Sequence, residues 1–183
     1  MSTSKQLVSV DEYDRMIATG QLAENDRVEL IRGEIVEKMP IGPSHSSVVK
    51  WFVKNLGPLL GDAAILGAQD PVRLDDSEPE PDVSIVRPRN DLYRSGHPRP
   101  NDILLLVEVS DSSLEFDRDI KGPTYADAGI LEYWIVNLVD DCIEVHRDPR
   151  EGGYRDVRTV IRGDTVSMLA FPAIEMKVDE ILG

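Results

Sequence analysis

The chain has 183 residues, 41% of them hydrophobic and 30% charged, which fits one globular domain over residues 1–183 with a continuous core. Aromatic residues supply only 5%, so Val, Ile and Leu must fill that core. A net charge of −14 works against polyanionic partners and leaves any nucleic-acid role to local basic patches or bound cations, while a lone cysteine, Cys142, excludes an internal disulfide.

The opening MSTSKQLVSVDEY lacks the apolar core of a signal peptide, and no stretch approaches membrane-spanning length, so a soluble cytoplasmic protein is expected. Ser9 and Glu12 have capping-box spacing ahead of a short helix that Gly20 closes. VELIRGEIVEKM alternates around Arg32-Gly33 and predicts a hairpin from Val28 to Met39. From Ser44, the residues Val48, Val49, Phe52, Val53 and Leu56 recur at helical spacing, and Gly57-Pro58 should end or kink that helix. AAILGA and DPVRL read as short strands, and an acidic connection leads to the strand DVSIVRP.

After a long loop comes DILLLVEVS, an aliphatic strand with one carboxylate, Glu108. EFDRDIKGPTYADAG has helical character despite Gly122-Pro123, and Gly129 is placed to stop it. LEYWIVN and CIEVHRD look like successive strands, YRDVRTVI, TVSMLAF and IEMKV continue a β-rich end, and VDEIL closes with a turn of helix. Strands outnumber helices, which predicts an α/β or α+β fold whose central strands are buried on both faces.

An ionised carboxylate in a dry core costs several kcal/mol unless it is paired, metal-bound or at a strand end. Ser110 and Asp111 follow Glu108 closely, so the strand-end reading is open, as is a salt bridge. Asp82 likewise opens a strand, just after Pro81; it is either a turn acid in an acidic run or one of two converging ligands for a hard cation. Lys121, with Tyr125 one turn on, follows in the next helix and can reach back to the strand end, although Asp117 at i−4 offers it a solvated partner. The loop from Arg87 to Arg99 sets Arg87, Arg89, Arg94 and Arg99 against one acid; it reads either as a phosphate-contacting rim or as a mobile connector. Trp51 and Trp134 read as core residues, and His97 and His146 are too isolated to suggest a metal site.

Pro81-Asp82, then Glu108 in VEVS, then Lys121 resemble the PD-(D/E)XK nuclease superfamily. In order, ELIRGEIV, SHSSVV, EPDVSIV, LLLVEVSDSS, DRDIK and YADAGILEYWIV resemble a bacterial family of "putative restriction endonucleases", largely a domain of unknown function, across nearly the whole chain. The resemblance implies a restriction-endonuclease-like fold, a central mixed sheet flanked by helices with additional C-terminal strands. It implies Mg2+ or Mn2+ on Asp82 and Glu108, Lys121 as catalytic lysine, and DNA as the partner. It also implies a role for Glu29, whose alternative is a hairpin pair with Arg32, and for His45, whose alternative is a helix-terminal polar residue. The superfamily's usual lysine position is held by Ser110, so the lysine is expected to have migrated to Lys121. A homodimer is suggested by the superfamily together with the late β-rich segment, and hydrolysis of RNA by the same site is a further reading. The net charge with the absent strand lysine motivates a module that binds protein or nucleic acid without turnover.

Overall fold

In the computed structural model, residues 7–23 and 26–183 are described; the reading of the opening segment falls partly on residues 1–6, outside that range. Helix α1 (Val10–Ala18) starts where the Ser9 hydroxyl accepts from the Glu12 N–H, as its spacing predicts. Strands β1 (Val28–Ile31) and β2 (Glu34–Glu37) form the expected hairpin. Its two-residue turn needs positive φ at both positions, and Arg32 and Gly33 supply 49° and 77°.

The second helical segment does not end at its glycine-proline. Helix α2 (Pro43–Trp51) passes through a π-helical turn (Phe52–Leu56) into α3 (Gly57–Leu60). The same device recurs later, where α4 (Leu114–Phe116) passes through a π turn (Asp117–Lys121) into α5 (Gly122–Asp127). In each case the glycine N–H reaches the carbonyl five residues back, Phe52 or Asp117. A proline removes one N–H and crowds the carbonyl four residues before it, and a widened turn just ahead of it relieves that conflict without breaking the helix.

Strands β3 (Ile65–Ala68), β4 (Val83–Val86), β5 (Ile103–Ser110), β6 (Glu132–Asn137), β7 (Cys142–Arg150) and β8 (Gly153–Ile161) form one sheet in that order. Only β5 and β6 run parallel, joined by the α4–α5 crossover. DPVRL is not a strand: the N–H groups of Val72, Arg73 and Leu74 bond to the carbonyls of Pro79, Pro98 and Ser77, a loop held by its own ends. TVSMLAF contributes only β9 (Thr165–Ser167), which pairs with β10 (Glu175–Lys177) before α6 (Val178–Leu182).

One sheet face packs Leu105, Val107, Val109 and Trp134 against Val48, Phe52 and Leu56 of the second helical segment and against α6. The other packs Leu106, Tyr133 and Ile135 against Tyr125 and Ile130. Because side chains alternate along a strand, Glu108 and Ser110 share the face of Leu106, beneath the α4–α5 segment.

Glu132, on β6, shows what a purely structural buried acid looks like. It is fully buried and accepts from Arg147 Nε and Nη2 at 2.8 and 2.6 Å, from Trp134 Nε1 at 2.9 Å and from the Leu169 N–H at 2.7 Å. Glu132→Ala would strand the Arg147 charge, and the expected cost is about 3–5 kcal/mol in denaturant-unfolding measurements. A loss below about 1 kcal/mol would mean that the pair contributes nothing net.

Candidate active site

The β4/β5 ladder pairs Val83 with Val107 and Ser84 with Leu106, so Asp82, one residue before β4, stands opposite Glu108. Residues opposite one another in an antiparallel pair project on the same face. Two acids that lie 26 positions apart in sequence therefore meet at one end of the sheet, on the face that the α4–α5 segment covers. Both line a cleft of about 280 Å³ with Glu29, His45, Asp117 and Lys121.

Asp82 is fixed through one oxygen. Its Oδ2 accepts from His45 Nε2 at 2.9 Å and from the Val109 N–H at 2.8 Å, while Oδ1 has a 3.5 Å contact from Gln69 Nε2. His45 is buried near the start of α2, and its Nδ1 has no hydrogen-bond partner among the described residues. Burial alone would lower the pKa of His45, but the hydrogen bond and charge of Asp82 outweigh it and hold the imidazole above its ordinary value.

Lys121 is 5% exposed, and its ammonium lies 2.9 Å from Glu108 Oε1 and 3.0 Å from Glu29 Oε2. A second donor, the Tyr125 hydroxyl, reaches Glu108 Oε1 at 2.7 Å, and the Glu80 N–H donates to Glu29 Oε2 at 3.0 Å. Burial would strip the proton from Lys121, but Glu108, Glu29 and Asp117 together raise its pKa and keep it charged. Burial drives Glu108 well above the ordinary carboxylate value, with Lys121 pulling the other way. Tyr125 is likewise pushed up by burial and by Glu108, so it stays a donor.

The geometry departs from the alternative pairings of Glu29 and Lys121, whereas Glu108 does form a salt bridge, with Lys121, and His45 does sit near a helix start. Glu29 does not pair with Arg32, which instead reaches Thr124 and Asp127 on α5. Lys121 and Asp117 are not a solvated pair: both are buried, and Asp117 accepts from Ser110 at 2.7 Å and from Ser113 at 2.6 Å. Ser110, in the place of the expected strand lysine, thus anchors the π turn that carries Lys121.

The arginine loop is not at the rim of this cleft. It leaves the end of β4 at Val86 and enters β5 at Ile103, opposite ends from Asp82 and Glu108. None of Arg87, Arg89, Arg94 and Arg99 lines the cleft; Arg89 instead pairs with Asp91 and lies 4.4 Å over the Tyr93 ring. Sequence reasoning missed Gln69, Lys38, Glu80, Met39, Ile41 and Phe116, which line it. The i−4 spacing to Lys121 was the only signal for Asp117, and Gln69 left none.

A family model described as "Uma2: Putative restriction endonuclease" matches residues 10–179. The chain belongs to the Uma2 family. Its fold is restriction-endonuclease-like, and it is similar to a solved structure from Anabaena variabilis described as "a putative nuclease belonging to DUF820". The TM-score is 0.72 at 14% identity, covering 96% of this chain and 97% of that one. None of the curated proteins matches the chain. No helix among the described residues is long and apolar enough to cross a membrane.

Among the described residues of this Uma2-family chain, no group of three or more His, Cys, Asp and Glu is gathered as a metal cage. A magnesium-type site does not require one, since such ions take one or two carboxylates and complete their shell with water and phosphate. The donors fit that pattern. His45 and Val109 load Asp82 on Oδ2, leaving Oδ1 with only the long 3.5 Å contact from Gln69, and Lys121 and Tyr125 load Glu108 on Oε1 rather than Oε2. Glu29, Glu108 and Asp117 act on the Lys121 ammonium and Asp82 lines the same cleft, so the buried acids outnumber the one buried ammonium, an imbalance that a divalent cation would offset.

Lys121→Met removes the attraction that opposes burial at Glu108, so the folded-state pKa of Glu108 rises further. A raised carboxylate pKa leaves stability intact below the ordinary value of 4.5 and removes it as pH rises through the folded value. The variant is expected to lose about 3–5 kcal/mol relative to wild type at pH 8 and progressively less toward pH 4, read from urea unfolding. A gap independent of pH would contradict the buried ion network.

Proposed function

We propose that this cleft hydrolyses phosphodiester bonds in DNA with Mg2+ or Mn2+ held by Asp82 and Glu108. The observation that carries the reading is that these two carboxylates stand opposite in register, with the Lys121 ammonium on Glu108. In the reaction a water oxygen adds to phosphorus and one P–O ester bond breaks, leaving a phosphomonoester and a free hydroxyl.

His45 and the Val109 N–H hold the Asp82 carboxylate in one orientation, and Tyr125 does the same for Glu108. Preset ligands cost no reorganisation at the moment of reaction. When bound, the cation polarises the phosphate and lowers the pKa of a water. Lys121, held protonated, is a charge stabiliser for the phosphoryl oxygens and a hydrogen-bond donor, not a base. Glu29 holds that ammonium in place together with Glu108.

A reading without turnover is favoured by the net charge of −14 and by Ser110 in the strand position of the usual lysine. Calorimetry with magnesium separates the two, because a module with no cation affinity at Asp82 and Glu108 is not this enzyme. For the nuclease reading, DNA incubated with magnesium or manganese is expected to be cut, matched RNA to be cut more slowly, and Asp82→Asn to lower the rate at least ~100-fold. If every DNA form stays uncut under both metals, the reading fails.

A further inference from the structure

The cleft has a second lining that phosphodiester hydrolysis alone does not use. Met39, Ile41 and Phe116 line it beside the acidic cluster, and Met39 and Ile41 are 50% and 42% exposed. Apolar side chains left in water at the mouth of a charged site mark contact with an apolar part of a ligand. Phe116 directly precedes Asp117 and the π turn that delivers Lys121, so the apolar lining and the charged cluster are carried by one segment.

The charges at the same site disfavour a duplex. Gripping both strands takes a row of Lys and Arg along two phosphate backbones. Besides Lys121, the lining lysine and arginine side chains are Lys38 and Arg27, and the lining His45 is already engaged by Asp82. Arg27 Nη2 already donates to the Met39 carbonyl at 2.9 Å, and Lys38 is paired with Glu80. The four-arginine loop sits at the other end of β4 and β5. A cavity of about 280 Å³ also suits a single nucleotide.

We propose that the cleft takes one unstacked nucleotide of a single-stranded nucleic acid, with its base against Met39, Ile41 and Phe116 and the adjoining phosphodiester at the carboxylates. Base stacking supplies affinity where phosphate contacts are few, and an aromatic platform serves every base. The assignment rests on the nuclease reading for its phosphate position, and DNA and RNA strands share the chemistry it recognises.

The test is fluorescence anisotropy of the full chain with magnesium, using labelled single-stranded DNA, single-stranded RNA and duplex DNA of one sequence, with cleavage followed on the same samples. Single strands are expected to bind at least ~10-fold tighter than duplex, and the tighter of the two strands assigns the sugar. Phe116→Ala is expected to weaken single-strand binding about 5- to 150-fold and close the gap to duplex. Met39→Glu, at an exposed position, is expected to narrow the gap too and guards against a misfolded Phe116 variant. Equal or tighter duplex binding, or a preference that survives both substitutions, overturns the inference. Metal-dependent cutting of duplex and single strand alike would leave the nuclease reading standing without it. A single-strand preference with no cutting would overturn the nuclease reading and keep the base site.

Discussion

An ammonium buried between two buried carboxylates ties together parts of the chain that nothing else brings to one point. Glu29 comes from the β1–β2 hairpin, Glu108 from the central strand β5, and Lys121 from the π turn of the crossover. None of the three charges is affordable alone at that depth, because desolvating an ion costs several kcal/mol. Each is tolerable only while the other two are in place, so the hairpin, sheet and crossover are held in one mutual arrangement. Tyr125 and the Glu80 N–H each add a further hydrogen bond, to Glu108 and to Glu29 respectively.

The surroundings of Glu132 and Glu108 differ in what they leave open to a ligand. Both are buried acids on adjacent central strands. Glu132 is enclosed by Arg147, Trp134 and the Leu169 N–H, with bonds on both oxygens, and it pins the β9 region to the sheet. Glu108 has its hydrogen bonds on Oε1 alone, lines a cleft, and faces Asp82 across the ladder. A saturated acid is a structural tie, whereas an acid held from one side in a cleft is available to a ligand.

Local patterns were legible from residue order: the Ser9 cap, the Arg32-Gly33 turn, and the strands around Asp82 and Glu108 follow from short-range propensity. What could not be read was spatial. That Asp82 stands opposite Glu108 depends on ladder register. That the arginine loop lies at the far end follows from β4 and β5 running antiparallel, which separates a strand pair's connecting loop from its free ends. DPVRL had the composition of a strand but no neighbouring strand to pair with, so its N–H groups closed on Pro79, Pro98 and Ser77. The helical pattern was legible through Gly122-Pro123, and Gly57-Pro58 was expected to end or kink its helix, but the π turn that carries each helix past its proline is a response no propensity records. For the site, Asp82, Glu108 and Lys121 were visible as motif residues, but the anchoring of the crossover by Ser110 through Asp117 was not.

The central claim is that Asp82 and Glu108 form a single cation site served by Lys121. Anomalous diffraction from a crystal soaked in manganese tests it most directly. One strong peak is expected beside the Asp82 and Glu108 carboxylates, with the Lys121 ammonium still against Glu108. A peak elsewhere, or none at manganese concentrations that saturate binding in solution, would contradict it.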